Sequence, residues 1–461
     1  MSDLNGRPLA AIILAAGQGT RMHSSLHKVL HPIAGKPMLL HLLDSLDAVS
    51  EGAELRKIVV VGKSREQVEP IAREHGADIA VQEEQLGTGH AVLQAEPLLD
   101  GFDGDVLACF GDVPMVSSDT VKAMRDALHK TDANGDVPAA VVLGFRPEDA
   151  KAYGRVIADD NGQIAKMVEY KDASDAEKDV NLCNSGLLMA RSADMFSLLS
   201  KVGNQNASGE YYLPDLVTIA LAAGRSCRVI ECDHWEVEGV NSRAELAQVE
   251  AQWQQRKRAE MMAAGVTLVA PKTVFFAHDT AIEPDVTVAS HVVFGPGVRI
   301  ASGTEIHSFS HIEGADIGAN CQIGPYARLR PGAELREKAK VGNFVEMKKA
   351  VLGEGAKANH LSYIGDADVG AGANIGAGTI TCNYDGFFKY RTEIGEGAFI
   401  GSNSALVAPV TIGDGAIVGA GATVTQDVPA DALALVRAET KEKTGWAARF
   451  RAAMTKKKQQ G

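Results

Sequence analysis

The stretch VRIASGTEIHSFSHIEGADIGANCQIGPYARL (Val298–Leu329) sets a large aliphatic residue about every six positions, at Ile300, Ile306, Ile312, Ile317, Ile323 and Leu329, commonly followed by a small one. The rhythm begins at Ile282, Val288 and Phe294 and runs on through Leu335 and Val341. It returns at Ile364, Val369 and Ile375, then from Ile394 through Ile400, Leu406, Ile412, Val418 and Val424. This period suits a parallel β-helix whose coils have three short flat faces, each filled by one inward aliphatic residue. Glycine and alanine belong at the corners, where the backbone turns with unusual φ. Between Ile375 and Ile394 the stretch TITCNYDGFFKYRTE is longer than one coil needs. Such an excursion from a rigid solenoid is where binding residues gather.

Residues 1–241 read differently. AAIILAAG, MLLHLLDSL, KIVVVG, EQVEPIAREHG, DIAVQ and DVLACFGD alternate short β-branched runs with amphipathic stretches, the pattern of βαβ units and a parallel sheet with its ligand at the carboxyl ends of the strands. Residues 242–265 read as a helical arm: Ser242 and Glu245 form a capping box, Leu246, Val249 and Trp253 share one face, and Gly265 is the stop. Residues 266–461 are then the β-helix and a C-terminal tail.

A chain of 461 residues is too long for one compact core. The formal charge of −13 argues against a nucleic-acid partner, and the basic run Lys456–Lys458 reads as a solvated tail. Cys109, Cys183, Cys227, Cys232, Cys321 and Cys382 lack CxxC spacing, which fits a reduced cytoplasmic protein without a zinc site. Neither a signal peptide nor a membrane span is expected.

LAAGQGTRM (Leu14–Met22) follows the first strand, so its amides could surround an anion while Arg21 and Lys28 supply charge. It is not a dinucleotide fingerprint, because the third glycine would fall at Met22, and no GK[ST] makes it a Walker loop. On spacing alone a structural turn and a phosphate site stand even. QLGTGH (Gln85–His90) adds a second glycine-rich loop, and FGDVP places Asp112 just past a strand, where a carboxylate holds Mg²⁺ or merely caps a turn.

With KVL, GRV (Gly154–Val156), VEYKDA (Val168–Ala173), CNSG (Cys183–Gly186) and GVNSR (Gly239–Arg243) added, and a hexapeptide repeat behind them, the chain resembles the bifunctional N-acetylglucosamine-1-phosphate uridyltransferase/glucosamine-1-phosphate acetyltransferase family over almost its whole length. The resemblance implies a Rossmann-like nucleotidyltransferase domain with a mostly parallel sheet, joined to a left-handed parallel β-helix. It also implies synthesis of UDP-N-acetylglucosamine from acetyl-CoA, glucosamine-1-phosphate and UTP with Mg²⁺, and a homotrimer through the β-helix. Leu14, Ala15, Ala16, Gly17, Lys28, Gln82, Gly87 and Thr88 would bind UTP, alongside Phe110 and Gly111. Gly154, Glu169 and Asn184 would hold the amino sugar, Asp112 and Asn241 the metal, and Arg21 and Lys28 would assist transfer. Phe110 stands where the family commonly has tyrosine, CNSG replaces NTG, and LHK replaces LPK.

In the repeat, large polar groups interrupt the aliphatic pattern at RLRPG, VGNFVEMKKA, HLSYIGD, NIGAGT and TCNYDG. His360 keeps company with Tyr363, with Glu346 and Lys348 of a preceding coil, and with Asn383 and Tyr384 of the insertion; a neutral imidazole there can take a proton from an attacking amine. His278, His291, His307 and His311 read as ordinary surface or satisfied histidines. By resemblance His360 is the base, with Asn383 and Tyr384 close to the reacting groups. Arg330, Lys348, Tyr363 and Asn374 would bind glucosamine-1-phosphate, and Ala377, Ser402, Ala420 and Arg437 acetyl-CoA. Two rivals stay open: a single-activity sugar nucleotidyltransferase whose β-helix only regulates, and a non-catalytic scaffold. The polar groups around His360 count against the first; Arg21, Lys28, Asp112 and Asn241 count against the second.

Overall fold

The computed structural model describes residues 6–17, 19–49, 52–63, 65–132, 135–150, 153–206, 208–436 and 439–460. They divide into two compact units, Met1–Arg256 and Lys257–Gly461. The division falls inside the helix Arg243–Ala263.

Unit 1 is built on one nine-stranded sheet. Its strands in chain order are β1 (Leu9–Ala15), β2 (Leu55–Val61), β3 (Ala77–Val81), β4 (Asp105–Phe110), β5 (Ala140–Phe145), β6 (Arg155–Ala158), β7 (Ile164–Val168), β8 (Cys183–Arg191) and β9 (Cys227–Cys232). The order β9-β5-β8-β4-β1-β2-β3 is parallel except at β8, and β6 and β7 form a side hairpin against β8. Ala10, Ile12 and Leu14 enter one core and Leu9, Ala11, Ile13 and Ala15 the other. A strand covered on both faces must read as a continuous apolar run, which is why LAAIILA shows no alternation. Leu246, Val249 and Trp253 pack on Met22, Ile33 and Met38, so the apolar face of the helix belongs to the unit 1 core.

Unit 2 is the parallel β-helix, and the aliphatic rhythm maps onto three ladders. One runs Ile282, Ile300, Ile317, Leu335, Leu352, Val369, Ile394 and Ile412. A second runs Leu268, Val288, Ile306, Ile323, Val341, Ala358, Ile375, Ile400 and Val418. In the third, Phe294, Ile312, Leu329, Met347 and Ile364 lead to Thr381 and then to Leu406 and Val424. Thr381 is buried because its hydroxyl accepts from the Gly365 N–H at 2.8 Å and donates to the Gly365 carbonyl at 3.0 Å.

All six cysteines are free. Among the described residues no helix is long and apolar enough to cross a membrane.

Leu329→Ala, at 0% exposure between Ile312 and Met347, is expected to destabilise the protein by about 2–5 kcal/mol. Arg299→Ala, on the outward side of its coil, should stay within about 0.5 kcal/mol of the parent in chemical denaturation.

Candidate active sites

In unit 1 the chain leaves β1 at Ala15 and turns through Gly19, whose φ is 60°. A Cβ there would lie 2.7 Å from the Cβ of Lys28, so only glycine lets the lysine stem pass. The Lys28 ammonium pairs with the Asp112 carboxylate and donates to Asn241 Oδ1 at 3.1 Å. Its two partners are themselves fastened together. The Val240 N–H donates to the Asp112 carbonyl at 2.9 Å, and the Asn241 N–H donates to Glu245 Oε2 at 2.6 Å. The expected capping box therefore forms in altered shape: the Glu245 N–H finds Ser242 Oγ at 3.2 Å, while the carboxylate reaches past Ser242 to Asn241. A helix N-terminus thus fixes an asparagine of the site.

Leu14, Ala15, Ala16, Gly17, Lys28, Gln82, Gly87, Thr88, Phe110 and Asp112 line one cavity of about 320 Å³ at the carboxyl ends of β1 and β4. The buried Gln82 amide donates to the Gly87 carbonyl at 3.1 Å. Gly111 stands behind this wall, its N–H donating to the Leu14 carbonyl at 3.0 Å. Arg21 is exposed and lies outside the lining. A second cavity of about 640 Å³ shares Thr88 and Phe110 with the first and is lined by Gly154, Glu169 and Asn184. The Phe110 ring fits because Gly186, at φ 86°, has no side chain; a Cβ would stand 2.5 Å from the ring. Burial, with Asp215 and Asp172 nearby, pushes the Glu169 carboxyl above the usual carboxylate range. Tyr153 and Tyr212 also line this cavity and were not singled out from sequence, although Tyr153 directly precedes Gly154.

In unit 2 the residues ahead of the site fall in register. Asn343 and His360 are ladder partners, and His360 Nδ1 lies 2.6 Å from Asn343 Oδ1. Backbone bonds continue the same edge downward: Gly378 to His360, Asn403 to Ala377, Gly421 to Ser402. Ala377 and Ser402 therefore follow His360 on successive coils, with Ala420 beside Gly421. The next corner position is left-handed throughout. It carries the stacked rings of Phe309, Tyr326 and Phe344, then Leu361, and then Gly378, Asn403 and Gly421. Bulk gives way to small residues just past His360, which leaves that edge open.

Glu346, expected beside His360, instead binds Arg330 at 2.8 Å and Arg328 at 3.4 Å. Lys348 is held below the usual lysine range by the neighbouring Lys389 and then by Arg330. Cations crowded this closely suit an anion, whose charge would relieve their repulsion. Tyr363 pairs with Glu346 in register, whereas Asn374 lies on the second ladder, between Lys357 and Phe399. The insertion folds back through a Tyr384–Lys389 bridge around Asp385, whose carboxylate takes the Phe387 and Phe388 N–H groups. Asn383 is buried and donates to Asp366 Oδ2 at 2.5 Å; Tyr384 is exposed and donates to the Gly386 carbonyl at 2.6 Å. Arg437 lies outside the described residues. Sequence reasoning missed Asn343 and Lys389. The first was findable, since it precedes His360 by 17 residues, one coil.

Residues 11–160 match the MobA-like NTP transferase domain, and residues 391–426 the bacterial transferase hexapeptide (six repeats). The chain is 62% identical over 451 residues to the bifunctional protein GlmU of Sphingopyxis alaskensis, covering 98% of each. It is 56% identical to that of Zymomonas mobilis, covering 98% of this chain and 99% of the relative, and 63% identical to that of Rhizorhabdus wittichii, covering 99% of each. The chain belongs to the GlmU family. As a GlmU protein it is a bifunctional transferase of cell-wall precursor synthesis: the α/β unit carries uridylyl transfer and the hexapeptide unit acetyl transfer. The ladders of unit 2 are consistent with the left-handed parallel β-helix of hexapeptide transferases.

Gly186→Ala should disturb Phe110 and force a left-handed alanine, costing about 1–3 kcal/mol. The expected result is impaired uridylyl transfer with acetyl transfer kept, read by separate pyrophosphate and thiol assays and a thermal melt.

Proposed function

We propose that unit 2 acetylates the amine of glucosamine-1-phosphate and that unit 1 joins the resulting N-acetylglucosamine-1-phosphate to UTP, releasing pyrophosphate and giving UDP-N-acetylglucosamine. The observation that carries the pair of activities is that each unit has its own cluster of matching chemistry: Lys28 with Asp112 and Asn241 beside a double cavity, and His360 with Asn343 near crowded cations.

In unit 1 the sugar phosphate oxygen attacks the α-phosphorus of UTP while the bond to pyrophosphate breaks. The nucleophile is already anionic, so the site supplies position and charge instead of a base. The loop Leu14–Gly17 cradles ribose and phosphates, Gln82, Gly87 and Thr88 take the uracil, and Lys28 and Arg21 meet the phosphates. Gly154, Glu169 and Asn184 hold the amino sugar in the second cavity. Asp112 and Asn241 present two hard oxygen donors to one point already occupied by a cation, a donor set that fits Mg²⁺. When bound, that ion neutralises charge on the phosphates.

In unit 2 the imidazole tautomer that satisfies Asn343 carries its proton on Nδ1, leaving Nε2 to accept the proton of the attacking amine. The new C–N bond forms at the thioester carbonyl, the C–S bond breaks, and the sulfur leaves. Arg330, Lys348 and Lys389 take the sugar phosphate, Tyr363 and Asn374 the sugar, and Asn383 and Tyr384 flank the thioester. Ala377, Ser402 and Ala420 let the pantetheine arm lie close, and Arg437 meets its phosphates. Because Asn343, His360, Ala377 and Ser402 lie along one edge of a prism, a neighbouring copy supplies the missing wall; we assign a homotrimer through the β-helix, working in the cytoplasm.

Asp112→Ala should abolish uridylyl transfer with acetyl transfer intact. His360→Ala should do the reverse, lowering acetyl transfer by about 10²–10⁴-fold. Loss of both activities in either folded variant would refute two independent sites. A carboxyl raised by burial protonates at higher pH than an ordinary glutamate, and once protonated it no longer accepts sugar hydroxyls as a carboxylate. KM for N-acetylglucosamine-1-phosphate should therefore rise as pH falls through the Glu169 value, and Glu169→Gln should flatten that rise.

A further inference from the structure

The Lys28 ammonium occupies the point at which the two oxygen donors of unit 1 converge. It pairs with the Asp112 carboxylate and with Asn241 Oδ1 at 3.1 Å, and the Lys28 and Asp112 side chains are only 13% and 16% exposed. The donors do not drift to meet it. Asp112 is tied by its carbonyl to Val240, Asn241 by its N–H to Glu245, and the lysine stem is threaded past Gly19. We propose that Lys28 is a place-holding counter-ion: without nucleotide it fills the cation position, and it yields that position only when a triphosphate offers its ammonium new oxygens. This rests on the reading of Asp112 and Asn241 as the metal donors.

The consequence is a coupling between ligands. A divalent ion arriving alone must strip Asp112 of its ammonium and leave that cation without an acceptor in a partly buried place, which costs more than the same event in water. A triphosphate supplies the acceptor. Each ligand therefore raises the affinity for the other by the same factor, as linkage requires. Arg21, exposed and outside the cavity lining, has no such role.

The test is Mn²⁺ binding to the full-length protein without nucleotide, followed by electron paramagnetic resonance of free Mn²⁺. Lys28→Met, similar in length and uncharged, should bind Mn²⁺ about tenfold or more tightly than the parent, while Lys28→Arg and Arg21→Met should not. Thermal melts confirm that each variant is folded. Parental affinity in Lys28→Met overturns the proposal. An equal gain in Arg21→Met also overturns it, since simple loss of positive charge would then suffice. Adding Asp112→Ala to Lys28→Met should remove the gained binding; if tight binding persists there, the assignment of Asp112 as a metal donor fails instead.

Discussion

In the coils of unit 2 each ladder residue has a partner one coil away, because short parallel strands stack through ladder hydrogen bonds at a spacing of roughly 4.8 Å. That single constraint organises the core and the site together. The inward residues form three columns, apolar except at Thr381, and the polar residues form columns too. His360 rests against Asn343 above and leads to Ala377 and Ser402 below. A rigid solenoid can aim an imidazole and present a flat seat for a long cofactor along the same edge, provided the corner residues shrink at the right coil. They do, from Phe344 through Leu361 to Gly378.

Unit 1 solves the opposite problem. Its site joins segments far apart in the chain: Lys28 lies 84 residues from Asp112 and 213 from Asn241. The parallel sheet makes this possible by ending β1 and β4 side by side, with Leu14 opposite Phe110. The helix that starts at Arg243 then brings its preceding asparagine under control through Glu245. The same helix buries Val249 and packs the partly buried Leu246 and Trp253 in unit 1, so its packing and its service to the site are one feature.

This contrast explains what could be read from the sequence. Most inward residues from Val288 to Val424 were legible because a fixed period assigns each to a column, but Met347, Leu352, Ala358 and Thr381 escaped where polar, small or irregularly spaced residues blur the rhythm. The strands of unit 1 were legible as apolar runs, and the loop after β1 as a glycine turn. Less legible was anything set by the choice of side-chain partner: the reach of Glu245 past Ser242, the bond of Glu346 to Arg330, the approach of Lys389 to Lys348. Asn343 lies between these cases. Coil arithmetic would have placed it beside His360, but its own neighbours Gly342 and Phe344 give no hint of a polar role.

On the proposed pair of reactions, the two clusters differ because their nucleophiles differ. A phosphate monoester is largely dianionic at neutral pH, its second pKa being about 6, so the oxygen attacking a nucleotide needs cations to bring it near another anion. Unit 1 accordingly gathers Lys28, two oxygen donors suited to a metal, and loop amides. An amine attacking a thioester must lose a proton, and neutralising charge alone does not remove it. Unit 2 therefore adds an imidazole with one nitrogen committed to Asn343. On the same proposal the crowded cations Arg330, Lys348 and Lys389 supply the counter-charge for the phosphate of the sugar, which takes no part in the acetyl step.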